Sequence, residues 1–503
     1  MDSMEHNISK DDAAAETTRL QPRREMRQNV AQGTTRMRGK MSGIPYIRQL
    51  LFAGGALICI LTIILVYVVF LYTQTRNPSS YIRSHFVLPT VTPIISPWGS
   101  GQNIDVTIVN GVTYVGAADG VVSALRASDG TVLWHYTTQG SADEQPLVVN
   151  GVVYVSTDLD TGVGSVYALR ANDGTLLWRY TSADHLVYQP TVVGEVAYVG
   201  SRDGTVIAMR ASNGSPLWHY KVTSPIDRPV VFSGIVYVVS ERKTLFALKA
   251  SNGSLIYAMN GAFLGSPVIV DNRAYVSSDN GTESAFQPGT GSLLWHYTHD
   301  GIALQPPLVI NGIVYVVATQ FPPDTSQAPV VSSALWINGS TFLFQKQQPS
   351  IHPLSSVYAL RASDGSLLWK YNGNMVHGWA WVAATNNVVY VSTSISQSKG
   401  YILALQGNDG ALLWSYAIDD SPFNAAAIAN GMVYIGAING NVYTLRASSG
   451  SLLWRYTILG ALLNTPIPDD ETVYIGSANG IVYAFQTTNG SLLWHYLTPA
   501  NGN

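Results

Sequence analysis

One aromatic residue, returning at a near-constant interval, constrains this chain more than any other feature. It sits near the end of a motif that first appears as Ala124–Tyr136 (ALRASDGTVLWHY) and again as Ala168–Tyr180 (ALRANDGTLLWRY). Near-copies follow at Ala208–Tyr220, Ala359–Tyr371, Ala404–Tyr416, Thr444–Tyr456 and Ala484–Tyr496, with more divergent ones at Ala247–Tyr257 and Ala285–Tyr297. The markers are Trp134, Trp178, Trp218, Trp295, Trp369, Trp414, Trp454 and Trp494, with Tyr257 in the fourth place, so the motif occurs nine times. Intervals run from 38 to 45 residues except for one of 74, between Trp295 and Trp369, which contains an insertion. A period near 40 is the signature of a repeat architecture. It overrides the several domains that 503 residues would otherwise suggest at roughly 150 each.

Within one repeat, Gln189 to Tyr220, four short runs of β-branched, aromatic and aliphatic residues alternate with turn signals: Thr191–Val193, Val196–Gly200, Thr205–Arg210 and Pro216–Tyr220. Asp203-Gly204 and Asn213-Gly214 separate the later runs, and in other repeats the first turn is Asn-Gly (Asn110-Gly111, Asn150-Gly151, Asn311-Gly312, Asn430-Gly431). Such pairs tolerate the positive φ of tight hairpins, so each repeat is expected to be a four-stranded antiparallel meander. A lone meander cannot bury both faces. Packing the sheets face to face around an axis buries them all, which predicts a β-propeller over 104–496. The recurrent tryptophans are expected to cover the neighbouring sheet and to donate their indole N–H to a backbone carbonyl, with the small residue opening each motif leaving room. The chain's 45 Gly, 28 Tyr and 12% charged residues suit this all-β reading.

The N-terminal region is different in kind. Residues 1–48 are polar and basic without apolar periodicity, and read as a disordered tail. Leu50 to Tyr72 is uncharged over 23 residues, which at about 1.5 Å per residue is long enough to cross a hydrocarbon core of about 30 Å. A transmembrane helix is therefore expected over 49–72. Arg36, Arg38, Lys40 and Arg48 precede it, against Arg76 and Arg83 after it, which predicts a cytoplasmic N-terminus and an extracytoplasmic propeller on a single-pass cell-membrane protein. The run is too long for a signal-peptide core, and TQTRNPSS after it offers no small-x-small cleavage site. Pro78, Pro89, Pro93 and Pro97 mark 73–103 as a semi-rigid linker, and 497–503 reads as a short tail. The single cysteine, Cys59, lies inside the apolar run, so a disulfide framework is excluded. A net charge of −3 argues against nucleic acid as a partner.

The motif Ala-Leu-x-Ala-x-x-Gly-x-x-x-Trp resembles the tryptophan-docking repeat of the pyrroloquinoline quinone (PQQ)-like propeller family, over about residues 104–496. The resemblance implies fold more than function, because the family holds quinoprotein alcohol dehydrogenases, which use PQQ with calcium, and non-enzymatic relatives such as the β-barrel assembly lipoprotein subunit. It also implies eight blades, while the residues count nine repeats. Eight is the expectation carried forward, with a ring of nine as the alternative. The quinoprotein enzymes also carry a vicinal cysteine pair, which this sequence lacks.

Candidate chemistry is sparse. Asp143, Glu144, Asp227, Asp300, Asp419 and Asp420 fall in segments joining one repeat to the next, without the spacing of a metal site. His135, His219, His296 and His495 follow the marker tryptophans and are expected on the surface, whereas His185, His299 and His377 lie in connecting segments that a ligand could reach. Residues opening the innermost strands should rim one mouth of the central channel: Gln145, Gln189, Arg228, Ser266, Gln305, Trp379 with Trp381, Asn424 and Asn464. They are the candidate ligand site, for a peptide or saccharide or else only for water. The insertion at 319–355 carries Trp336, Phe342 and Phe344 around Asn338-Gly339, a projecting hairpin able to anchor a partner or to fold over the rim. The resulting expectation is a membrane-anchored binding scaffold for a protein or cell-envelope component, with no catalytic residues, metal or cofactor. The alternative is a PQQ- and calcium-dependent oxidoreductase acting on an alcohol or sugar.

Overall fold

The computed structural model of the chain describes residues 104–499, apart from 143, 160–161, 183–187, 321–332, 338–339, 345–353, 374–377, 397 and 463. The expected tail, membrane helix and linker over 1–103 and the last residues of the C-terminal tail lie outside these, as do Asp143, His185 and His377. No helix among the described residues is long and apolar enough to cross a membrane.

The repeat fixes the architecture. Asn110 and Gly111 take φ of 52° and 73°, a turn whose twist matches that of the strands it joins, so β1 (Ile104–Val109) folds back on β2 (Val112–Ala117). β3 (Val121–Arg126) and β4 (Val132–Thr137) complete an antiparallel sheet in simple sequential order. Eight further sheets of four strands follow, at 147–181, 191–221, 230–260, 268–298, 308–371, 379–418, 427–457 and 467–497. The blades therefore number nine. The family's usual eight does not hold, because all nine repeats are complete and none is displaced.

The blades are joined by one repeated contact. In each, the third and fourth strands carry a bulge beside the opening small residue, as between Ala124 and Leu125, and this places Trp134 opposite Ala124. The indole of Trp134 then crosses to blade 2 and donates to the Ala171 carbonyl at 2.9 Å, while Tyr114 Oη reaches the same oxygen at 3.4 Å. The bond recurs from Trp178 to Ala211, Trp218 to Ala250, Trp295 to Ala362, Trp369 to Gly407, Trp414 to Ala447 and Trp454 to Thr487. Tyr257 makes it through its hydroxyl, to Pro288 at 2.7 Å. Trp494 of blade 9 makes it to Ala127 of blade 1, at 2.9 Å, and so closes the ring. Among the described residues, no strand is exchanged between first and last blades. The closing interface has an apolar core of the same kind as the others, with Val106, Leu125, Val482 and Trp494 buried together.

Opening alanines do not alone make the room the sequence assigned to them. The seat for each ring is the turn glycine of the following blade. Gly174, at φ 69°, would bring an added β-carbon to 2.6 Å from Trp134 Cε3. Backbone and indole both require glycine there.

The insertion leaves blade 6 between its second strand (Ile313–Gln320) and third (Leu354–Arg361), which pair along eight residues, from Ile313↔Arg361 to Gln320↔Leu354. Beyond this lengthened ladder, Ser333–Ile337 pairs with Ser340–Phe344 as a separate two-stranded hairpin. Trp336, Phe342 and Phe344 lie on its strands.

Candidate functional site

The segments leading from each outermost strand to the next innermost strand gather at one end of the ring. They are held there by short bridges to the second strand of the blade they enter, such as Ile226↔Ser240 and Pro422↔Ala437. Most residues expected to rim the mouth lie here, and several share one role. Gln145 Nε2 donates to Val106 O of blade 1 at 2.9 Å, Gln189 Nε2 to Gln145 O, Ser266 Oγ to Arg228 O at 2.8 Å, Gln305 Nε2 to Ala380 O at 3.1 Å, and Asn464 Nδ2 to Ile104 O. Thr107 and Thr191, which the sequence did not single out, do the same to Pro146 O and Pro229 O at 2.6 Å. Innermost strands of adjacent blades belong to separate sheets and are not paired with one another. Side-chain donors bridge them instead.

The aromatic pair is less open than expected. Trp381 is buried, its ring centroid 5.9 Å from that of Phe423 in the segment entering blade 8. Trp379, two residues earlier on the same face of its strand, is half-buried, and Asn424 is buried.

Charge collects where blades 2, 3 and 4 meet the mouth. Glu144 Oε2 accepts from Gln189 N at 2.8 Å, and its charge favours the guanidinium of half-buried Arg228, whose pKa burial pulls down. Asp227, the residue before Arg228, is pushed up to about 7, first by burial and then by the charge of Glu241. Tyr188, also buried here, is pushed up to about 12 by burial, opposed by a hydrogen bond with Arg202. Arg202 and Glu241 escaped the sequence reading. Both stand in second turns at a position that is Ala118, Ile438 or Ala478 in three blades but Asp158 or Asp279 in two others, so a charge there was no distinctive signal in the sequence.

Other candidate residues are dispersed. Asp420 is fully buried and spent within the fold, accepting from Asn441 Nδ2 at 2.6 Å and Ser421 N at 2.8 Å. Asp300 is exposed and pairs with Lys370 at 3.2 Å. His135, His219, His296 and His495 are exposed as expected. His299 is not in reach of a ligand: its side chain is fully buried, with Nε2 at 3.6 Å from Glu283 Oε1 and its ring 5.3 Å from that of Tyr358. Glu283 occupies a position that is Val122, Val166, Val206, Leu245, Val357, Ile402, Val442 or Val482 in the other blades, and burial raises its pKa.

Among the described residues, no three His, Cys, Asp or Glu side chains converge as a metal would require. Asp227 and Glu241 influence one another, yet two carboxylates fall short of the six to eight oxygens calcium takes. These residues do not supply a carboxylate-rich calcium site for a bound quinone. What the mouth offers is a polar rim with one mixed-charge sector, suited to holding a polar ligand or a protein surface.

Fold and mouth together define a class: a closed nine-bladed PQQ-like repeat propeller. The chain belongs to the family described as outer membrane protein assembly factor BamB, whose sequence profile matches residues 92–227, 225–322, 353–437 and 398–503. No curated protein matches the sequence. Similar solved structures include BamB from Moraxella catarrhalis (17% identity, 69% of this chain and 94% of that one, TM-score 0.48). Others are the computationally designed Ika8 protein (15% identity, 68% and 95%, TM-score 0.47) and the quinohemoprotein alcohol dehydrogenase ADHIIG from Pseudomonas putida HK5 (15%, 76% and 70%, TM-score 0.44).

Proposed function

We propose that this propeller is a binding scaffold, tethered through one helix at 49–72 with its N-terminus in the cytoplasm and its blades outside, and that it docks a protein or cell-envelope component at the mouth. The observation that carries this reading is the mixed-charge sector of Glu144, Asp227, Arg228 and Glu241 on a rim where Gln145, Gln189, Ser266, Gln305 and Asn464 are engaged in bridging blades. Such a sector recognises a partner by charge complementarity and register. The family's description as an assembly factor agrees with an interaction role. Trp336, Phe342 and Phe344 of the hairpin are a second anchor in the same reading.

A photo-crosslinking residue at Arg228, introduced into the full chain in native membranes, tests it. One discrete adduct, weakened by Glu241→Gln and absent when the crosslinker is placed on the outer strand at His135, is the expected result. The purified chain is expected to show no saturable tryptophan quenching by PQQ with calcium. Binding at one quinone per chain together with dye-linked dehydrogenase activity would overturn the scaffold reading. Protease accessibility from outside the cell, with 1–48 protected, checks the orientation.

A further inference from the structure

Three positions contribute much of the ring content of the interfaces between blades: the marker aromatic, the residue two beyond it, and the residue just before the opening small residue of the next blade. Between blades 1 and 2 these are Trp134, Tyr136 and Tyr167, with Tyr136 and Tyr167 6.0 Å apart between centroids. Between blades 3 and 4 they are Trp218, Tyr220 and Phe246, and between blades 5 and 6 Trp295, Tyr297 and Tyr358. Between blades 4 and 5 all three shrink together, to Tyr257, Met259 and Ser284. At the remaining interfaces tryptophan and tyrosine are both kept, even where blade 9 meets Ser123, whose hydroxyl lies 3.0 Å from Tyr496 Oη.

The missing rings leave space. A half-enclosed crevice of about 240 Å³ lies at this interface, bounded by Met259, Phe263, Phe286, Leu293, Ser284 and Asn280. Backbone alignment is unchanged, because Tyr257 Oη and Tyr237 Oη both still reach Pro288 O, at 2.7 and 2.9 Å. The interface is therefore held at its ordinary spacing, with its usual rings only partly replaced, by buried Phe263 and Phe286. A cavity held open by its surroundings keeps apolar walls without partner atoms, and a molecule of matching shape supplies them. The lining mixes Phe263, Phe286, Leu293 and the Met259 sulfur, which packs well against ring edges, with the hydroxyl and amide groups of serine, threonine and asparagine side chains.

We propose that this crevice is a binding site for a free planar aromatic molecule of one or two fused rings with a polar edge. The other interfaces specify that ligand class, since they fill the equivalent space with indole, phenol and phenyl groups of the chain itself. None of Glu144, Asp227, Arg228 and Glu241 lines it.

Indole is the probe. Saturable binding of one indole per chain to the purified full-length protein, followed by saturation-transfer NMR and calorimetry, is expected, with cyclohexanol binding more weakly because it is not planar. Restoring the usual rings with Met259→Tyr and Ser284→Tyr together should weaken indole binding about tenfold or more without lowering the melting temperature. Should that double variant fail to fold, Ser284→Leu, which places the side chain of Leu403 in blade 7, gives the same readout with a smaller group. Absence of saturation in the parent protein, or unchanged affinity in a folded filled variant, would overturn the proposal.

Discussion

Blade 2 and blade 5 are built to the same plan, and the contrast between them shows which parts of the repeat hold the ring and which are free to drift. Blade 2 receives Trp134 on Gly174, offers Tyr167 to Tyr136, and presents Val166 toward blade 3. Blade 5 receives the smaller Tyr257 on Gly291, offers Ser284 to Met259, and presents Glu283 toward blade 6. Both faces of blade 5 have thus departed from the consensus, one by losing volume and one by gaining a buried acid. What survives in both blades is the aromatic-to-carbonyl bond and the glycine seat. The bond sets the spacing of blades, and the filling around it is negotiable as long as neighbouring interfaces carry the stability.

Truncating the marker aromatics should separate the two most strongly. Trp178→Ala removes a buried indole and its bond to Ala211, at a cost of about 3–5 kcal/mol, whereas Tyr257→Ala beside an existing crevice should cost about 2. Guanidinium denaturation of both variants measures this, and equal losses would mean that blade 5 is packed as tightly as blade 2.

The seats come next. Gly174→Ala forces a β-carbon against a fixed indole at positive φ and should cost about 2–4 kcal/mol. Gly291→Ala has the same φ of about 70°, but meets Tyr257 Cε2 at 2.8 Å beside open space, so the ring can shift and the loss should be nearer the backbone cost alone, about 1 kcal/mol. Melting curves of the two variants would show the difference.

Glu283 gives the smallest and most distinctive effect. Its pKa is raised in the folded chain, by burial first and against the pull of His299 and Ser277, so the native state holds its proton more tightly than the unfolded one. Stability from this group is fully present below the unfolded glutamate value of about 4.3 and is lost as pH rises through the higher folded value. Glu283→Gln should therefore gain stability over the parent at pH 8 and none at pH 4. A gain independent of pH would mean that the carboxylate is not what strains this face.

Much of the ring was legible from one chain of residues. Asn110-Gly111 announces a hairpin by its backbone preference, and the eight tryptophans with Tyr257 count the blades, because both signals are local and repeat with the fold. Eight blades was the wrong expectation, since it rested on the habit of other proteins and not on this chain's own nine motifs. The mouth was harder to read. Gln145 and Gln305 look like ligand contacts in sequence, and only the juxtaposition of inner strands shows their amides already engaged. His299 was read as reachable because it follows a strand, yet its surroundings are set by Glu283, 16 residues earlier, and by Tyr358 of the next blade. Long-range pairing of that kind leaves no trace in spacing.

Every blade is a contiguous stretch of chain, and blade 9 meets blade 1 through the bond used at every other interface. The cyclic order of blades consequently has no privileged origin. Joining the propeller's two ends and cutting within a first turn such as Asn311-Gly312 would give a circular permutant with the same ring. The seam at Trp494 and Ala127 is the one interface that no peptide bond crosses. There the ring can gap without breaking the chain, and there a whole repeat can be added or lost in evolution by moving a single junction, which is a simple route from eight blades to nine.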